Sequence, residues 1–228
     1  MRKLLLFSIA VLFLNGCKKD DSSDTVQQGL LYSYFPINVG HETIYNASLI
    51  TKDDFSGVED TSYFQVKEVV ESVFMDNQSR PTQRLERYVR PTSNDPWVIS
   101  DVWTSNLWNN RIEKKEENYI FLKMIFPLAV GAAWNGNLLN NLESQTYEIT
   151  GLNEPDIAGG ISFDSTLTIL QRDEDSFIAT DYEIEKYAAG VGLIYKQQIH
   201  IEKDYTIPQN PGIKAQRLYT ETIVSWSN

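Results

Sequence analysis

Few side chains in this chain of 228 residues are of a type and placement that does chemistry. Cys17 is the only cysteine and stands directly behind an apolar run, in "FLNGCKKDDSSD". A lone thiol has no partner for a disulfide, so attachment is the chemistry it offers. The histidines, His41 and His200, have no second ligand at metal spacing. No His-Glu-x-x-His, Cys/His cluster or calcium loop occurs, and no metal and no cofactor is expected. Gly190-Val191-Gly192 lacks the third glycine and the helix of a dinucleotide loop, and reads as a bulge or a close crossing of backbones. Gly160-Ile161-Ser162-Phe163-Asp164 lacks the second glycine of a nucleophile elbow. Two carboxylates for glycoside hydrolysis could meet from distant strands among 31 acids. No catalytic residue is assigned, and a protein without enzymatic activity is the expectation.

Two constellations offer recognition. Arg80, Arg84, Arg87 and Arg90 gather in "RPTQRLERYVRP", where they could receive an anion by bidentate pairing or balance neighbouring acids such as Glu86. Among Trp97, Trp103, Trp108 and Trp134, the last lies in "WNGNLLNN" beside Asn135, Asn137 and Asn140. Ring faces for stacking and amides for hydroxyls make Trp134, Asn135, Asn137 and Asn140 the candidate ligand-binding set, with a glycan as the ligand. Core packing of Trp134 and turn formation by the asparagines are the competing roles.

The leader explains Cys17. Arg2 and Lys3 precede an apolar run from Leu4 to Leu14, too short for the roughly 20 residues that span a bilayer. Leu14-Asn15-Gly16-Cys17 resembles the lipobox of bacterial lipoproteins, which implies that Cys17 is diacylated and becomes the N-terminus. The alternative is an ordinary secretory signal with a chance cysteine. The expected organisation is a signal peptide over 1–16, a lipidated flexible tether over 17–29 and a single domain over 30–228. Removing the leader takes Arg2 and Lys3 away and leaves the chain more acidic than its formal −11, which excludes nucleic acid as a partner. Lys18 follows the cysteine where inner-membrane retention uses aspartate, so the resemblance implies the outer membrane. Lys18-Lys19-Asp20-Asp21 also looks like the signal that carries Bacteroidota lipoproteins to the cell surface. A charged spacer is the alternative.

The elements that must position these groups read as strands. Leu193, Tyr195, Ile199 and Ile201 alternate with Lys196, Gln198 and His200, which predicts a strand with its apolar parity buried and its polar parity wet. Ile161, Phe163, Leu167 and Ile169 alternate with Ser162, Asp164, Thr166 and Thr168 in the same way. Further strands are expected near 41–51, 83–90, 97–104, 110–116, 119–126, 144–150, 176–187 and 214–225. Val66, Val69, Val70, Val73 and Phe74 fit helical spacing, yet β-branching favours a strand. "FPINVGHETIYN" from Phe35 and "FPLAVGAAWNGN" from Phe126 share Phe-Pro-[Ile/Leu]-x-Val-Gly, an anchored turn used twice, by local convergence or by duplication. The fold expected is mainly β: a single antiparallel domain of about ten strands, a sandwich or a curved, partly open barrel.

Together, "YFPINVG", "FPLAVGAAWNGN" and "YAAGVGLIYK" resemble a group of uncharacterised Bacteroidota lipoproteins, and only the lipidation of Cys17 carries over. The expected protein is a monomer held on the outer membrane by its lipid, binding a glycan or an envelope protein without catalysis. A half-barrel carrier of lipid-like molecules and a glycan hydrolase are the rivals. An apolar trough would mark the first, a cleft with two carboxylates the second.

Overall fold

The computed structural model describes residues 33–205 and 212–228. These form one antiparallel sheet of twelve strands, with no helix among the described residues. The first six are β1 (Glu42–Asp53), β2 (Val58–Met75), β3 (Pro81–Arg90), β4 (Val98–Trp108), β5 (Arg111–Glu116) and β6 (Tyr119–Ile125). The second six are β7 (Ala133–Asn135), β8 (Thr146–Ala158), β9 (Ile161–Asp175), β10 (Ala179–Ala188), β11 (Gly192–Asp204) and β12 (Gly212–Ser227). Across the sheet the order is β6-β5-β4-β3-β2-β1-β12-β11-β10-β9-β8-β7. Two six-stranded meanders are thus joined through β1 and β12, and the sheet curls until β6 meets the residues after β7, giving a nearly closed barrel. The segments expected as signal peptide and tether, 1–16 and 17–29, lie outside the described residues.

Alternation accounts for most of the packing. On β9, Phe163, Leu167 and Ile169 are buried as the pattern requires, and Val66 and Val70 of β2 turn the same way, which settles the 66–74 segment as strand. Two apolar clusters fill the barrel wall, one around Met124, Trp134, Ile149 and Leu167, the other around Tyr45, Val66, Ile194 and Ile223. Each segment expected as a strand is one, and the strand not expected is β7, three residues long and without a period of its own; β8 runs on past 150 through Pro155, where register shifts mark a bulge that tolerates proline.

The faces of β11 correct the alternation reading. Lys196 points into the barrel, while Tyr195 and Gln197 line a cleft with Tyr182 and Ile184 on the outer side. A register shift between Lys186 and Tyr187 in the β10–β11 ladder inserts a residue, and one inserted residue exchanges the faces of all that follow.

One end of the barrel is stoppered by the segment before β1. Tyr34 is 2% exposed, with its hydroxyl donating to Asn153 Oδ1 at 2.7 Å, and Gly190 N–H donates to Ser33 O at 2.9 Å. A β-carbon on Gly192 would lie 3.1 Å from Pro36 Cδ, so the Gly190–Gly192 turn is the close backbone crossing that its sequence suggests. His41, buried, bridges Val191 O at 3.0 Å and Asn228 Oδ1 at 2.7 Å, bolting the chain's last residue to this stopper.

Candidate functional site

Inside the barrel the strands bring charges together beside apolar side chains such as Val70, Leu85 and Leu193. Glu68 of β2, Arg87 of β3, Lys114 and Glu116 of β5, Lys123 of β6, Glu185 of β10, Lys196 of β11 and Glu221 of β12 line one cavity. The signs alternate along a chain of contacts. Glu221 meets Arg87 at 2.6 Å, Arg87 meets Glu68 at 3.2 Å, and Glu68 meets Lys114 at 2.9 Å. Lys114 reaches Glu116 at 3.9 Å, Glu116 meets Lys123 at 3.3 Å, and Lys123 meets Glu185 at 2.7 Å. Lys196 closes a ring, 3.7 Å from Glu185 and 3.9 Å from Glu116. Arg87–Glu221, Lys123–Glu185 and Lys196–Glu116 each join one meander to the other across the lumen. Four carboxylates and four cations balance, as buried charges must.

Electrostatics follow from this neutrality. Burial opposes ionisation of Glu185 and Glu116, but Lys123 and then Lys196 hold both below the ordinary glutamate value. Glu68 is lowered against burial by Lys114 and Arg87, and Glu221 by Arg87 and Lys196. Burial, and then Glu185, push the Tyr187 hydroxyl well up, so it stays a donor to Glu185. The Trp103 ring covers Arg87 at 4.2 Å and Lys114 at 5.0 Å, a cation–π lid on that side of the chain. All four acids are therefore acceptors at neutral pH, and none is held protonated as a proton donor would be. The cavity left between the groups is about 40 Å³. That is room for a few waters at about 10–15 Å³ each, against roughly 300 Å³ or more in pockets that take organic ligands.

The candidate set Trp134, Asn135, Asn137 and Asn140 lies together, at the seam where the sheet closes. Trp134 is 9% exposed, packs edge-on to Tyr147, and donates its indole N–H to Leu122 O at 2.7 Å. Asn140 Nδ2 donates to Ile120 O at 3.0 Å, and Leu122 N–H donates to Gly136 O at 2.8 Å, so three bonds tie β6 to this loop. Asn135 Oδ1 accepts from the amides of Asn137 and Gln145, and Asn137 Nδ2 donates to Glu143 O at 2.7 Å. The amides thus hold the loop and the seam, and the ring is a plug. Counted from the repeated turn, Trp134 stands where Thr43 does in the first meander. Cys17 lies outside the described residues.

The arginines divide between faces. Arg80 pairs with Asp76 and Glu113, Arg84 with Glu71 and Glu86, and Arg87 with Glu68 and Glu221, as the balancing reading expects. Arg90 donates to Gln65 and lies 4.1 Å from the Trp97 ring. His200 is half exposed and 2.5 Å from Asp181. Among the described residues no group of three His, Cys, Asp or Glu could hold a metal, and no helix is long and apolar enough to cross a membrane. Sequence reasoning did not find the interior charges. The available signal was one charge inside an apolar strand, as with Lys123 in "YIFLKMIF".

Comparison with protein-family models finds no match, and comparison with curated proteins finds none either. Among solved structures, the chain is similar to a protein assigned as exported, with a YmcC-like fold, from Bacteroides fragilis NCTC 9343. That likeness has a TM-score of 0.48 at 10% identity, covering 85% of this chain and 98% of the other. A protein assigned as a lipoprotein from Parabacteroides distasonis ATCC 8503 gives 0.39 at 14% identity over 85% and 98%. LprF from Mycobacterium bovis gives 0.23 at 11% identity over 89% and 93%. All three likenesses are distant in sequence and in shape.

Proposed function

We propose that the mature chain is a lipid-anchored, non-catalytic module of the outer membrane, monomeric, which meets its ligand or envelope partner with its outer surface. The observation that carries this reading is the ion chain that fills the lumen. A carrier of lipid-like molecules needs a roomy apolar trough, and in this interior eight charged side chains stand among apolar ones such as Val70, Leu85 and Leu193 around only about 40 Å³. A glycoside hydrolase needs one carboxyl with a raised pKa to protonate the leaving group. The four interior carboxylates are all shifted the other way. The resemblance of Leu14-Asn15-Gly16-Cys17 to a lipobox supports the anchor, and the Lys18-Lys19-Asp20-Asp21 run supports a place on the cell surface.

Uptake of an apolar fluorophore tests the interior directly. The mature Cys17→Ser chain should leave the emission of N-phenylnaphthylamine unchanged at neutral pH. A saturable enhancement displaced by fatty acid would restore the carrier in place of this reading.

A further inference from the structure

A second cavity, about 370 Å³, opens on the outer face of β3, β4 and β5 beneath the turn that joins β2 to β3. Side chains alternate along a strand, so Thr82, Thr104, Asn106 and Glu113 face outward where Leu85, Trp103 and Lys114 face the lumen. Arg80 folds the turn back over this face, 2.8 Å from Asp76 and 2.9 Å from Glu113. Glu113 also takes Arg111 at 2.6 Å. Both carboxylates of the cleft are therefore committed to arginine and shape its walls.

Other groups in the cleft are uncommitted. Asn106 is 7% exposed, and its Oδ1 is buried without a hydrogen-bond partner. A buried amide oxygen loses its water on folding and regains nothing unless a donor arrives from outside the chain. Lys115 lines the same cleft, is exposed, and makes no ion pair among the described residues. Phe74 stands at the rim, 42% exposed, and Trp108, 40% exposed, follows Asn106 by two residues on the same face of β4.

We propose that this cleft binds a saccharide unit bearing an acidic group. Amide and hydroxyl side chains, Asn106 and Thr104 with Asn77 and Gln78 of the turn, both donate and accept, as sugar hydroxyls do. Phe74, in the lining, offers a ring to the apolar side of a pyranose, and Trp108 lies outside the lining on the same face of β4. Lys115 supplies the cation for a uronate. A peptide added as a strand is excluded here, because β3, β4 and β5 are each paired on both sides. The volume lies at the lower end of the roughly 300–1,000 Å³ of ligand pockets, which suits one or two sugar rings. This site names a ligand class for the outer-surface reading, and its test does not depend on the anchor or on the lumen.

The test is a glycan array of neutral and uronate-containing oligosaccharides probed with the full mature chain in detergent, followed by calorimetric titration of the retained glycans. Uronate-containing glycans should bind. Asn106→Leu and Lys115→Ala should each weaken them at least tenfold, and Asn106→Leu should melt no lower than the parent because the orphaned amide is gone. Lys214→Ala, exposed and far along the barrel, should bind as the parent does. If Asn106→Leu does not fold, Lys115→Ala alone decides. An array on which nothing binds, or glycans whose affinity the cleft variants leave within twofold, overturns the proposal.

Discussion

Gly40 and Gly131 hold equivalent places in the two meanders: each donates its amide to the second strand of its half, to Val70 O at 2.9 Å and Ile149 O at 2.8 Å. The return bonds match too, from Val70 N to His41 O at 2.9 Å and from Ile149 N to Ala132 O at 3.0 Å. Both glycines have positive φ, +93° and +83°, which a reversal at that point requires of its residue. The repeated Phe-Pro-x-x-Val-Gly is thus one device that starts each six-stranded half. Its geometry makes the β1–β12 ladder and the β6–β7 seam counterparts. The first is a register of twelve residue pairs, the second a few bonds around Leu122.

The seam should therefore be sensitive. Trp134→Ala removes a buried ring and its bond to Leu122 O, and should cost about 3–5 kcal/mol in urea unfolding. Gly136→Ala would drive a β-carbon into the Tyr147 ring and should also destabilise, with faster hydrogen exchange at the Leu122 amide. A Trp134→Ala protein that melts like the parent would show that the ring is not a plug.

The ion chain makes a different prediction. Lys123→Met leaves Glu185 and Glu116 without their nearest cation in the lumen, and should cost about 3–5 kcal/mol. Adding Glu185→Leu should recover part of that loss, because a buried pair replaced by apolar groups is often near neutral. Urea midpoints at unchanged m-value measure both. A double variant less stable than Lys123→Met would contradict the pairing.

The sign of the pH dependence follows from the shifts. Glu68, Glu116, Glu185 and Glu221 are lowered in the folded chain, so each adds stability above its unfolded pKa. That contribution is lost as pH falls from about 4.3 towards the folded values. Lys123 is raised against burial by Glu116 and Glu185, so its contribution holds below about 10.4 and is lost as pH climbs through the folded value. Melting temperature should be nearly flat between about pH 5 and 9 and drop below about pH 4. Lys123→Met should have a shallower acid limb, and an unchanged limb would dissociate the carboxylates from this cation.

Where a strand has an apolar parity and an unbroken register, its sequence was legible. Phe163, Leu167 and Ile169 turn inward as alternation requires, and the β-branching of Val66 and Val70 outweighed a helical spacing. Legibility ended where polarity and burial part company. Lys114, Lys123, Glu185 and Glu221 are polar by type and buried by place, and they are tolerated only because partners from distant strands arrive beside them. Such partnership spans up to 134 positions, from Arg87 to Glu221, and leaves no local period. The bulge that turns Lys196 inward is likewise invisible in the alternation of β11. Asn106 carried no signal at all, since an orphaned amide is defined only by its surroundings.

The anchor is tested most directly by fractionating cells that express the full chain or its Cys17→Ser variant, with a high-salt wash of the membranes. One acyl chain holds a protein marginally, and the two or three of a lipoprotein hold it stably, at about 0.8 kcal/mol per buried CH₂. The parent should stay with the outer membrane through the wash, and the Cys17→Ser protein should be found in the soluble fraction. A serine variant that still sediments with washed membranes would contradict the account.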